Sequence, residues 1–229
     1  MKRAYQIRRT IAAVLALLIA MTVLFSNPEL WQAIPSPASS GTATGKAAEA
    51  LRLLAVKGRA PKTGYARTQF GDGWATTAGC DTRNIILNRD LKEASVNDKC
   101  QVTRGVLNDP YTGKVITFVR GGSTSANVQI DHVVALGDAW QKGAQQLSSK
   151  EREQLANDPL ELLAVDGLAN QQKSDGDAAT WLPSNKPFRC QYVARQIAVK
   201  QKYKLWVTSA EKDAMNRILA ACPDQGLPL

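Results

Sequence analysis

The 229-residue chain contains a single histidine, His132. Histidine is the only side chain whose unperturbed titration falls between about pH 5 and 8. Chemistry that needs an ordinary base near neutrality therefore falls to His132 by elimination; the plain alternative is a structural histidine. Cysteine is also scarce. The four present, Cys80, Cys100, Cys190 and Cys222, form no C-x-x-C pair, which argues against a zinc knuckle. The apolar run Ile11–Phe25 stops at 15 residues, short of the roughly 20 that a membrane-spanning helix needs. No internal repeat is present.

What is there reads as an exported globular chain. Hydrophobic residues make up 44% and charged residues 21%, which fits a folded body rather than a disordered one. The basic start MKRAYQIRR followed by the short apolar run resembles a signal peptide. No clean A-x-A cleavage site follows, so an uncleaved anchor stays open; either way the body lies outside the cytoplasm. Residues 34–50 are rich in Pro, Ser, Ala and Gly and read as a linker. The expected organisation is a leader or anchor over 1–26, a linker over 27–50 and one folded domain over 51–229. An even cysteine count in an exported chain predicts two disulfides. Of three connectivities, Cys80–Cys100 and Cys190–Cys222 close the shorter loops. The net charge is +9, and the body stays basic without the leader. That favours a polyanionic partner, with ordinary solubility charge as the alternative.

The pattern is α+β with a small antiparallel sheet. Ala47–Val56 has helical spacing, and 64–80 reads as a Gly-rich, aromatic loop. Thr82–Leu91 suits a short helix or a strand. Asn108-Asp109-Pro110-Tyr111-Thr112-Gly113 predicts a turn between strands Gln101–Leu107 and Lys114–Val119. Val128–Leu136 is β-branched and apolar around Asp131-His132. Gly137–Gln146 and Ser149–Leu155 read as helical. Leu160–Val165 reads as a strand, and Leu168 onward as a helix with Asn170 near its start. Cys190–Lys202 and Ser209–Cys222 are amphipathic, with a capping box from Thr208 to Glu211.

Asp131 beside the lone histidine, inside an apolar stretch, is a costly carboxylate unless it is paired or holds a metal. Downstream, Asn170 offers a hard, neutral oxygen suited to Mg2+. The ordered combination Ile130-Asp131-His132-Val133-Val134, Leu163-Ala164-Val165 and Asn170-Gln171-Gln172-Lys173-Ser174-Asp175 resembles the HNH (ββα-metal) endonucleases. More specifically it is similar to the C-terminal nuclease domain of GmrSD-type restriction enzymes, which also occurs as small exported proteins. The N-x-x-K-S-D run also resembles the HNH domain of the CRISPR effector nucleases. Gly79-Cys80-Asp81-Thr82-Arg83, Asp109–Gly113, Trp140 and Ala179-Thr180-Trp181-Leu182-Pro183 extend the likeness over roughly residues 64–222.

The resemblance implies a ββα-metal motif with flanking helices. It makes Asp131 and Asn170 ligands of Mg2+, with Mn2+ or another divalent ion able to substitute, and His132 the general base. It departs from the family at the middle asparagine that tethers the loop of the base: Glu161 stands there, able to accept but not to donate as an amide does. Glu161 could orient a protonated His132, or Asn157 could take the tether. Lys173 and Arg83 are candidate phosphate contacts, each with an ion pair as the plain alternative. Asp175 reads as a structural partner for a nearby base. Trp140, Trp181 and Trp206 read as core anchors rather than base-stacking platforms, and Lys200, Lys202 and Lys204 around Tyr203 as a solvated face, with a track for a nucleic-acid backbone as the alternative. The expected activity is exported endonuclease cleavage of DNA, with RNA as the alternative, with little sequence preference. The expected chain is a monomer without an organic cofactor, meeting a membrane only through an uncleaved leader. The competing expectation is a catalytically silent binding module for a polyanion or a cell-wall partner.

Overall fold

The computed structural model describes residues 46–121 and 124–228. The leader and nearly all of the linker fall outside the described residues. Among the described residues no helix is long and apolar enough to cross a membrane.

Among the described residues the α-helices are α1 (Lys46–Leu53), α2 (Thr82–Asp90), α3 (Leu136–Gln141), α4 (Ser149–Asn157), α5 (Gly167–Lys173), α6 (Arg189–Lys202) and α7 (Ser209–Leu219). The strands are β1 (Thr76–Thr77), β2 (Cys80–Asp81), β3 (Lys92–Val96), β4 (Val102–Asn108), β5 (Val115–Val119), β6 (Val128–His132) and β7 (Leu162–Asp166). They form three small antiparallel sheets, β1-β2, β3-β4-β5 and β6-β7. The mixed class and the β4–β5 hairpin match the expectation from sequence. The open segment 82–91 resolves as helix, because the Asp81 carboxylate caps it by accepting from Asn84 N at 2.7 Å. Strand β3 has no counterpart in the sequence pattern: its residues are polar and largely exposed.

The β6–β7 ribbon lies between two apolar cores. Alternation sends Leu162 and Ala164, with Val128 and Ile130, into a core shared with Ile86 and Leu87 of α2 and with Phe118 of β5. Leu163 and Val165 point the other way, into the larger core with α1, α3, α6 and α7. Burial of both faces fixes the register, because a slip of one residue would exchange them. Asp131 and His132, one residue apart, thus lie on opposite faces of β6.

Helix α5 follows β7 directly. The Asp166 carboxylate caps it, accepting from Ala169 N at 2.8 Å. Gly167 makes the junction possible: a Cβ there would sit 2.2 Å from the backbone oxygen of Ala126. Thr208 and Glu211 form the expected capping box on α7. A second box, Ser148 with Glu151, caps α4, which starts at Ser149 as expected. Cysteines pair as expected, Cys80–Cys100 and Cys190–Cys222.

Trp140 and Trp206 are buried, and Trp181 packs against the larger core. Lys200 corrects the solvated-face reading. It is fully buried, with Nζ 3.0 Å from Glu211 and 3.5 Å from Asp138. Lys142, also fully buried, reaches Asp138, Asp177 and Glu211 within 2.8 Å, and Arg59 reaches Asp138 and Asp177. Three cations thus balance three carboxylates, and the cluster joins α3, α6, α7, the segment after α5 and the segment around Arg59.

Candidate active site

Strand β6, helix α5 and the start of α2 converge on a cleft of about 510 Å³. Asp131, His132, Asn170 and Arg83 all line it, as do Tyr65, Arg67 and Gln129. With Asp175 at the rim, five of the residues singled out by sequence therefore meet in one place. Lys173 does not line the cleft. It is buried beneath it, donating from Nζ to Asp131 Oδ1 at 2.9 Å and to the His132 carbonyl at 2.8 Å.

The Asp131 carboxylate is almost wholly buried, and its second oxygen accepts the Tyr111 hydroxyl. Burial pushes its pKa up, against the opposing pull of the Lys173 ammonium and the Tyr111 hydrogen bond. Tyr111 belongs to the turn Asp109–Gly113, and Asp109 ties that turn to α5. Its carboxylate accepts from Thr112 N at 2.7 Å and from Asp166 N at 2.9 Å. The turn thus places a hydroxyl on the acid of β6, a use beyond reversing the chain.

His132 lies on the other side of β6. Its ring stacks on Trp74, centroids 5.7 Å apart and planes 5° from parallel. Its Nε2 is 2.9 Å from the Ala156 carbonyl. A carbonyl can only accept, so Nε2 carries the proton and Nδ1 presents a lone pair. Burial, with the charge of Arg67 added, lowers the pKa of His132 to about 3. The ring is therefore neutral near pH 7, the state a proton acceptor requires.

The backbone after His132 is pinned on every side. Val133 N donates to the Glu161 carbonyl at 2.9 Å, and Val134 N to Glu161 Oε2 at 3.1 Å. Gln196 Nε2 donates to the Val133 carbonyl at 2.8 Å. Glu161 thus makes, as an acceptor, a bond that an asparagine oxygen could also make. Its Oε1 is buried without a partner, and burial pushes its pKa well up. Asn157 holds a different segment: its Oδ1 accepts from Ala75 N at 2.8 Å, next to the Trp74 that covers His132.

Asn170 donates from Nδ2 to Gln129 Oε1 at 2.9 Å. Its amide oxygen has no hydrogen-bond partner among the described residues and stays available as an acceptor. Among the described residues Arg83 makes only a 3.5 Å contact to the Val128 carbonyl, and burial beside Arg120 holds its pKa below the usual guanidinium value. Asp175, on the cleft rim, pairs with Lys62. Sequence reasoning missed Arg67, Trp74, Tyr111 and Gln129 as members of the site. The signal for Arg67 and Trp74 was faint: one arginine and one tryptophan in a Gly-rich loop some 60 residues upstream of the histidine.

A family model describing the C-terminal domain of GmrSD restriction endonucleases matches residues 81–218, more than half of the chain. A protein of Arthroderma benhamiae described as an uncharacterized secreted protein is 36% identical over 211 residues, covering 91% of this chain and 98% of that protein. No solved structure is a significant match. The matched region contains Asp131, His132, Glu161 and Asn170, and the chain therefore belongs to the family of GmrSD restriction endonuclease C-terminal domains.

Proposed function

We propose that this chain is an exported phosphodiester hydrolase, an endonuclease with little sequence preference that uses a divalent ion. DNA is the first substrate, with RNA as the alternative. The observation that carries the reading is one cleft lined by a carboxylate, a neutral histidine, an amide oxygen and an arginine. Family membership supports nuclease chemistry, the secreted relative supports export, and the basic body suits a polyanion.

The donors fit a hard divalent cation such as Mg2+, with Mn2+ as a substitute. Asp131 offers an anionic oxygen and Asn170 a neutral one. The Asp131 charge already lies against a cation, the Lys173 ammonium. When bound, the ion would neutralise charge developing on the phosphate. His132 would take the proton of the attacking water at Nδ1, since Nε2 is committed to the Ala156 carbonyl. Trp74 and Ala156 hold the ring in place. Lys173 acts through Asp131, balancing its buried charge, while Arg83, on the cleft wall at the start of α2, would contact the phosphate.

Supercoiled plasmid incubated with Mg2+, with Mn2+ or with EDTA tests this. Nicking with either ion and none in EDTA is expected, and Asn170→Ala lowers it at least about tenfold. The binding-module reading draws on Asp131, whose two oxygens are both engaged inside the protein. Tight DNA binding without nicking under any divalent ion would favour that reading.

A further inference from the structure

A second chamber of about 330 Å³ adjoins the cleft. His132, Arg67 and Leu136 line both spaces and form the partition between them. The two differ in character. The cleft is walled mainly by polar and charged groups. The chamber is walled by Phe70, Trp74, Leu136 and Ala156, with Asp72 beside them. Phe70 packs edge-on against Tyr65 and Trp140, ring centroids 6.4 and 6.3 Å away. Trp74 is fixed by its stack on His132 and by the neighbouring bond from Ala75 to Asn157.

Arg67 at the partition is exposed and makes no ion pair or hydrogen bond through its side chain among the described residues. Lys173 and Lys62, the lysines beside the cleft, already have carboxylate partners. A free guanidinium between a polar cleft and an aromatic-lined chamber suits a ligand with an anionic part and a flat apolar part. A nucleotide joins these two parts through one sugar.

Resting on the hydrolase reading above, we propose that the chamber is a nucleobase subsite, with Arg67 at the partition holding the adjoining phosphate, so that the chain prefers single-stranded nucleic acid. A base stacked in its own duplex is not free to enter a walled chamber, whereas an unpaired base can leave the strand and stack on aromatic rings. Asp72 could accept from the exocyclic amine of such a base.

Binding in EDTA tests this separately from catalysis. Fluorescence anisotropy compares a short labelled single-stranded DNA, an abasic strand of the same length and a duplex of the same sequence. The single strand is expected to bind at least about tenfold more tightly than the other two. Thr68→Trp, which fills the chamber from its exposed wall, brings the single strand to the abasic value; its melting temperature reports folding. Equal affinity for the three DNAs would overturn the proposal, as would a folded Thr68→Trp protein that keeps the preference. Failure of the hydrolase reading has a different signature, no cleavage of either plasmid or single-stranded DNA with Mg2+, and it leaves the affinity comparison decisive for the subsite.

Discussion

Asp131 and Lys173 form a buried pair in which each charge needs the other. Removing one partner of such a pair leaves an uncompensated charge and costs about 3–5 kcal/mol. Lys173→Met should therefore lower the denaturant midpoint sharply, and adding Asp131→Asn should recover much of the loss. A single variant as stable as wild type would show that the pair is not coupled. Glu161 behaves differently: among the described residues it makes no ion pair, its Oε1 has no hydrogen-bond partner, and burial outweighs the more distant pull of Lys173 and Lys200 on its pKa. A glutamine there keeps an oxygen for Val134 N–H and discards the buried charge. Glu161→Gln should be as stable as wild type or more stable by about 1 kcal/mol, with nicking within about twofold. A large loss of activity would mean that the charge itself serves the histidine. That Asp131, His132 and Asn170 share one cleft was legible in sequence, because an ordered run of polar groups stands out inside apolar stretches. Lys173, Lys142 and Lys200 were not legible as buried groups, because their carboxylate partners lie on other elements.

At the scale of elements, the site depends on how β7 hands over to α5. The Gly167 Cα passes so close to Ala126 that any side chain would meet a backbone oxygen. Backbone cannot swing aside as a flexible side chain can, so Gly167→Ala should displace the start of α5 and, with it, Asn170. The expected result is a loss of about 2 kcal/mol or more in chemical denaturation, with nicking reduced beyond the loss of folded protein. An unperturbed variant would mean that the junction has slack. The hairpin turn and the α7 capping box were readable because their signals are local. Strand β3 was not: it is a short, polar strand at the sheet edge, and only its pairing with β4 makes it a strand. Trp74 and Tyr111 reach the site from elements remote in sequence, so no spacing rule could have joined them to Asp131-His132.

At the scale of the molecule, one histidine makes the acid response separable. His132 titrates near 3 when folded and near 6.5 when unfolded. The unfolded chain therefore binds the extra proton between these values, and stability falls as pH drops from about 6.5 towards 3. Burial raises the pKa of Asp131 and Glu161, which act in the opposite sense. Both effects are common to a His132→Asn variant and cancel in the comparison. The stability advantage of wild type over His132→Asn, from denaturation at successive pH values, should shrink steadily below about pH 6.5; a constant difference would contradict the buried neutral ring. Further down, Asp177 feels burial pushing its pKa up, but Lys142 and Arg59 outweigh it and hold it below the usual carboxylate value. Its contribution is present above about pH 4 and is lost on further acidification. The same ring decides the account as a whole. Purified wild type and His132→Ala, both confirmed folded, should be compared for plasmid nicking in Mg2+: the variant should be slower by about 10²–10⁴-fold, whereas equal nicking would remove His132 from the chemistry.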